Sequence, residues 1–390
     1  MSSQTENLTL LQSKLKNETW SPLAYSGLAL AMAGRAAKYT GYYLARKTPA
    51  KMPYTTGFNT ALLFPVIECC SIRQSRVVMK TSLDIMARMA GLGPEAQKKW
   101  AVPVEGNGWK GFWIPFQDQV NSVKDSHGAT TMVPPESVPV GSGCDIVLLY
   151  IHGGGFIDGN PLMFLEFFLK TMKATQQTHN LKIGILAIDY SLSPEHTYPV
   201  ASDEIIASYK SLIQEHSVHS KKIVLIGDSA GGNICLGTTL RLRDQFPELG
   251  RPGGQIGVSP WVCSPEPLED SLYDFVSKEG CEVYWEAYTK NKPELQESPY
   301  TRPYFAETLS GLAPTLIYVG GQEILRSSIE NFVKKAKVED VDITMVFGED
   351  RPHNYCLLDE ISTEKDRQVA RHAMGDFLVK IHDTYKQHQH

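Results

Sequence analysis

Ser229 stands in the stretch Gly227-Asp228-Ser229-Ala230-Gly231-Gly232. An apolar run, Ile223 to Ile226, precedes it, and a proline-free helical pattern runs from Asn233 to Arg243. A serine at the tip of a strand, a tight turn and a helix is the arrangement of a nucleophile elbow. The turn forces that serine into a strained backbone region, so its flanks must be small, and Gly227 and Gly231 meet the demand. The helix N-terminus aims free N–H groups at any oxyanion formed beside the hydroxyl. A spaced Gly, Ser, Gly arises by chance in about one chain in ten of this length. The strand before it and the helix after it carry the reading further.

Three other stretches supply what a serine nucleophile needs. His152-Gly153-Gly154-Gly155-Phe156 follows the apolar run Asp145 to Ile151. Its glycines expose backbone N–H groups, and Gly153 and Gly154 with Ala230 are the expected oxyanion donors. Beyond a late apolar run, Tyr318 to Arg326 contains Glu323, a carboxylate suited to orienting an imidazolium, with Glu339, Asp340 and Asp342 as competitors. His353 follows the run 342–347 and is the expected general base. Phe156, Tyr190 and Trp261, aromatic residues beside these turns, are the expected substrate contacts.

These residues need a frame, and the periodicity gives one. Residues 1 to about 100 lack strand alternation. Helical spacing occurs instead at Leu8, Leu11 and Leu15, across Leu28 to Leu44, and across Val77 to Leu92 with Met79, Leu83, Met86 and Met89. A methionine stripe packs a core or lines a pocket for a bulky apolar ligand. From Trp100 onward short strands appear, beginning with the alternating 108–115. Residues 117–143 read as a polar loop. Apolar runs then alternate with helical ones: 145–151, 163–173, 183–188, 202–216, 222–226, the elbow helix, 255–258, 315–319, 325–337, 342–347 and 365–385. That rhythm predicts a largely parallel sheet with helices on both faces. Residues 264–312, proline-rich and charged with a helical patch at Tyr284 to Tyr288, read as an insertion over the carboxyl edge of the sheet. The division expected is a helical cap at 1–104 and a catalytic domain at 105–390.

Composition narrows the function classes. The 390 residues are 42% hydrophobic and 21% charged, with a formal net charge of −5 and no basic block, which leaves nucleic-acid binding without an electrostatic footprint. Seven scattered cysteines have no zinc-site spacing and read as mostly reduced, buried thiols of an intracellular protein. The serine chemistry above implies neither a metal nor an organic cofactor. The apolar run Pro22 to Ala33 falls short of the ~20 residues that span a bilayer. It reads as an amphipathic or membrane-touching helix, with a signal peptide ending near Ala31-Met32-Ala33 as the alternative. Sequons at Asn7 and Asn17 matter in that alternative. The expected location is cytoplasmic, or at the endoplasmic-reticulum membrane.

The motifs at 152–155 and 227–232, with Tyr190-Ser191-Leu192-Ser193-Pro194-Glu195-His196, resemble the hormone-sensitive-lipase branch of the α/β-hydrolases. The resemblance covers roughly residues 105 to 385. It implies an α/β-hydrolase fold with N-terminal helices capping the pocket, Ser229 as nucleophile, His353 as base and Glu323 as acid, in the order Ser, acid, His that this fold uses. It implies a serine esterase acting on a hydrophobic small-molecule ester, in a family whose members often dimerise. Two departures stand out. The acid is Glu323 before Ile-Leu-Arg-Ser, where the family commonly has an aspartate before Pro-Leu-Arg-Asp, and Ser327 removes a second carboxylate. The long N-terminal extension is similar to that of fungal steryl acetyl hydrolases and secondary-metabolite esterases. Acyl transfer, cyclisation or elimination at the same site is one alternative, and a non-catalytic small-molecule receptor is the other; His353 argues against the receptor.

Overall fold

The computed structural model describes residues 22–116, 123–124, 130–131, 137–263 and 271–388. Helices α1 (Pro22–Leu44), α2 (Tyr54–Cys69) and α3 (Ile72–Met89) come first, then the strands β1 (Val102–Gly106) and β2 (Trp109–Ile114). From there strands and helices alternate: β3 (Ile146–Ile151), α4 (Leu165–His179), β4 (Ile183–Ile188), α5 (Val200–Gln214), β5 (Ile223–Asp228), α6 (Ser229–Gln245) and β6 (Gly254–Val258). Helix α7 (Lys278–Thr289), β7 (Thr315–Gly320), α8 (Arg326–Val338), β8 (Ile343–Gly348) and α9 (Glu364–Gln387) complete the chain. The eight strands form one sheet in the order β1-β2-β4-β3-β5-β6-β7-β8. β1 and β2 are antiparallel to each other, β2 is antiparallel to β4, and every pairing from β4 to β8 is parallel.

Every residue of β3, β4, β5, β6 and β7 is buried, which is why these strands read as unbroken apolar runs. The edge strand β8 alternates more and keeps Thr344 and Phe347 exposed. Because the strands run parallel, the ends of β3, β5, β7 and β8 open on one edge, and the loops carrying His152, Ser229, Glu323 and His353 leave from that edge. At the far end of the chain, Thr363 and Asp366 form a capping box that starts α9.

The N-terminal helices are fastened to the catalytic body. Tyr39 of α1 is fully buried, in a cluster with Met52 and Ala61. A Cβ on Gly57 would lie 2.2 Å from the Tyr39 ring, so glycine there is what lets α1 and α2 approach. Arg76 of α3 donates from Nε to the Ile157 carbonyl at 2.7 Å and pairs with Glu195 at 2.8 Å. Asn59 of α2 donates to the Glu360 carbonyl at 2.7 Å.

Several expectations change. The sheet begins at Val102, inside the stretch assigned to the cap, because the Asn107-Gly108 turn pairs β1 with β2 and the alternation of 102–106 was hidden by Pro103. Helix α7 is longer than its Tyr284–Tyr288 patch. Leu8, Leu11 and Leu15, the Met86 side chain, residues 264–270 and most of the loop 117–143 lie outside the described residues. In α1, Tyr25, Leu30 and Leu44 are exposed, yet no helix among the described residues is long and apolar enough to cross a membrane. All seven cysteines are free thiols, six of them buried and Cys69 exposed.

Candidate active site

Ser229 opens α6 directly after β5, with φ at +53°. That left-handed backbone is costly for a serine and is imposed by its surroundings. A Cβ on Gly227 would lie 2.2 Å from the Gly231 carbonyl oxygen, and one on Gly231 would lie 2.1 Å from the Ile151 carbonyl oxygen. Backbone against backbone leaves no room, and both positions must be glycine. The Ser229 carbonyl accepts the N–H of Trp261 at 3.0 Å, which fixes the turn from the far side.

Next to this turn, Gly154 and Gly155 take φ values of +113° and +61°. The oxyanion assignment needs one correction. The N–H of Gly153 is already committed, donating to Asp228 Oδ1 at 3.0 Å. Among the described residues, no hydrogen bond occupies the N–H groups of Gly154, Gly155 or Ala230. Gly154 and Gly155 wall the same cavity as Ser229, whereas Gly153 does not. The unoccupied N–H groups of the glycine run that border the cavity are therefore those of Gly154 and Gly155, one residue further along than expected.

His353 and Glu323 meet below the cavity. His353 is 1% exposed and Glu323 4%. Nδ1 of the imidazole lies 3.4 Å from Glu323 Oε2, an ion-pair distance longer than a formed hydrogen bond. Contacts of this kind tighten when substrate arrives. The competing acids are elsewhere: Glu339 accepts from Thr308 and Leu309, Asp342 pairs with Lys380, and Asp340 occupies the turn after α8. Burial opposes protonation of His353, but Glu323, Asp274 and Asp228 outweigh it and hold its pKa above the ordinary value.

Two buried carboxylates that the sequence did not single out organise this region. Asp228 accepts from the Tyr150 hydroxyl at 2.8 Å, the Gly153 N–H and Asn354 Nδ2 at 3.0 Å, tying the elbow to the glycine turn and to the histidine loop. Asp274 accepts the N–H groups of His353 and Ile324, so it joins the histidine loop to the acid loop. Burial pushes both carboxyls up to about 6. Asn354 adopts φ of +54°, a conformation asparagine tolerates better than most, and its place beside His353 was the one sequence signal available.

The aromatic assignments divide. Trp261 lines the cavity. Phe156 and Tyr190 do not: Phe156 stacks on Tyr288 at 4.0 Å, and Tyr190 stacks on His152 at 4.2 Å while its hydroxyl donates to the His152 carbonyl at 2.7 Å. Both brace the glycine turn from behind. Burial lowers the His152 pKa to about 4, so this imidazole stays neutral. The cavity itself measures about 330 Å³. Its roof comes from α2 and α3, through Leu62, Leu63, Met79 and Leu83, and from the segment before and within α7. Of the methionine stripe, Met79 faces this space and Met89 is exposed. Among the described residues, no group of three or more His, Cys, Asp or Glu side chains is arranged to hold a metal ion.

A family model described as the alpha/beta hydrolase fold matches residues 148–357, more than half of the chain, taking in the glycine run, the elbow, Glu323 and His353 but not the roof helices α2 and α3. The chain belongs to the α/β-hydrolase family. An esterase of Acinetobacter venetianus is 32% identical over 204 residues, covering 50% of this chain and 63% of that esterase. Among solved structures, the esterase EstE5 superposes with a TM-score of 0.59 at 25% identity, over 77% of this chain and 92% of EstE5. The hormone-sensitive-lipase homologue EstE7, from a metagenome library, gives a TM-score of 0.62 at 22% identity over 83% of this chain and 97% of its own, a likeness of fold. In this family member the mostly parallel sheet flanked by helices follows the expected fold class.

Proposed function

We propose that this chain is a serine esterase whose substrate is an ester of a bulky apolar alcohol with a small acyl group, such as an acetate of a terpenoid, sterol or polyketide. One observation carries the reading: Ser229, Gly154, Gly155 and His353 wall a single, mostly apolar cavity, with Ser229 at the N-terminus of α6. In the mechanism that follows, the Ser229 hydroxyl attacks the ester carbonyl and His353 takes its proton. The N–H groups of Gly154, Gly155 and Ala230 receive the oxyanion, and Glu323 stabilises the imidazolium. The alcohol leaves with the proton from His353, and water then releases the acyl group by the same steps in reverse. Removing one oxyanion donor from such a site costs about 2.7–4 kcal/mol of transition-state stabilisation. The apolar roof of α2 and α3 supports the bulky alcohol and limits water around it.

The test is turnover of p-nitrophenyl acetate and butyrate by the full chain and by Ser229→Ala. The esterase reading expects hydrolysis in the first and none above background in the second. A folded chain that turns over neither ester contradicts it.

A further inference from the structure

Two carboxylates on the cavity wall have no part in the chemistry above. Asp158, in the turn after the glycine run, is 9% exposed and lines the cavity. Its Oδ1 accepts the N–H of Gly159 at 2.7 Å, while its Oδ2 is buried without any donor. Glu360 lines the cavity from the short helical turn Asp359–Ile361, and its Oε2 is likewise buried without a donor. Asp228 makes the contrast: it also reaches this wall, but Tyr150, Gly153 and Asn354 satisfy it.

A carboxylate oxygen shut away from water and from donors is expensive unless a ligand supplies the donor. The described residues of the wall do not supply a cation either. No lysine or arginine lines the cavity among the described residues. Arg76, whose field reaches Asp158, spends its guanidinium on Glu195 and on the carbonyls of Ile157 and Ser193. The rest of the wall includes Trp261, Phe275 and Tyr284, whose ring faces attract ammonium groups more than hydroxyls. An anionic substrate would find no lysine or arginine to pair with among these lining residues, only carboxyl groups.

From this geometry we infer that the cavity selects esters whose apolar body carries a basic amine, with Asp158 as counter-ion and Glu360 as a second carboxylate on the same wall. The inference rests on the esterase reading and narrows it to a substrate class. It also accounts for a cavity that is apolar over most of its surface yet carries acidic groups with no lysine or arginine beside them among the described lining residues.

The experiment compares three acetates: para-(dimethylaminomethyl)benzyl acetate, its carbon isostere para-isobutylbenzyl acetate, and para-(hydroxymethyl)benzyl acetate. At pH 7.5 the amine ester is expected to exceed the isostere by about tenfold or more in kcat/KM, mainly through KM, a difference of about 1.4 kcal/mol. Asp158→Asn is expected to bring that ratio towards one, and Glu360→Gln to lower it in the same direction. If Asp158→Asn fails to fold, the ratio in Glu360→Gln decides. A ratio near one in the unaltered chain, a ratio untouched by the variants, or faster turnover of the hydroxyl ester overturns the inference while leaving the esterase reading intact. Should none of the esters turn over, the esterase reading fails, and binding of the two product alcohols, followed by tryptophan fluorescence, still decides. Tighter binding of the amino alcohol, weakened by Asp158→Asn, supports the inference, and equal binding contradicts it.

Discussion

Asp274 Oδ1 accepts the backbone N–H of His353 at 3.1 Å. The same carboxylate takes the N–H of Ile324 at 2.8 Å with its other oxygen, so one buried side chain sets the spacing between the histidine loop and the residue after Glu323. Asp274 comes from the stretch between β6 and α7, which means that the cap segment reaches under the cavity and registers the acid against the base.

Replacing Asp274 with Asn therefore acts in two ways. An amide presents an acceptor to one of the two N–H groups and an N–H to the other, so one link is lost. The charge that helps raise the His353 pKa disappears as well. The expected outcome is a fall in kcat of about tenfold or more, about 1.4 kcal/mol, with the acid limb of the kcat/KM profile moved to lower pH. A purely structural role would lower activity without moving the limb, and an unmoved limb would contradict this account.

The unaltered chain has its own pH signature. His353 must be neutral to accept the serine proton, and its pKa is held above the ordinary 6.5. Activity is thus expected to fall with acid already above pH 6.5. Stability runs the other way. The protonated imidazole stabilises the fold below 6.5, and that contribution is lost as pH rises through the raised value. Asp228 and Asp274, raised to about 6 by burial, lose theirs between about pH 4 and 6. Urea midpoints measured from pH 5 to pH 8 are expected to decline while activity climbs, and parallel rises in both would refute the assignment.

Gly231→Ala tests the elbow as a packing problem. The added methyl would meet two carbonyl oxygens, of Ile151 at 2.1 Å and His152 at 2.4 Å, and neither belongs to a movable side chain. A loss of about 3 kcal/mol or more is expected, seen as a lower denaturation midpoint or as failure to accumulate folded protein. A variant as stable as the parent would mean that the turn has slack.

Leu83→Trp tests the roof. Leu83 lies on α3 and faces the cavity, so a larger ring there takes up part of the 330 Å³. Turnover of esters with bulky alcohols is expected to drop about tenfold relative to p-nitrophenyl acetate, a selective loss readable from the ratio of kcat/KM values. Equal losses for small and bulky esters would remove Leu83 from the specificity wall.

Much of this was legible in the sequence, and the pattern of what was not is physical. Fully buried strands such as Ile183–Ile188 read directly, because both faces are covered and every position is apolar. Ser229, Glu323 and His353 read through motif and order, since each sits at a strand end in a parallel sheet. Gly153 was assigned a free N–H that Asp228 in fact occupies, a contact between residues 75 apart that no local pattern displays. Phe156 and Tyr190 sit beside the right turns but point into the scaffold, which depends on stacking partners at Tyr288 and His152. Asp274 was one carboxylate in a charged insertion, and only its burial distinguishes it.

The account depends on Ser229 being a nucleophile activated inside the cavity. The most direct measurement is intact-mass and peptide analysis after treatment with a fluorophosphonate. One adduct on Ser229, abolished in Ser229→Ala and strongly slowed in His353→Ala, is the predicted result. A folded chain that stays unlabelled, or that carries the adduct on another residue, would contradict it.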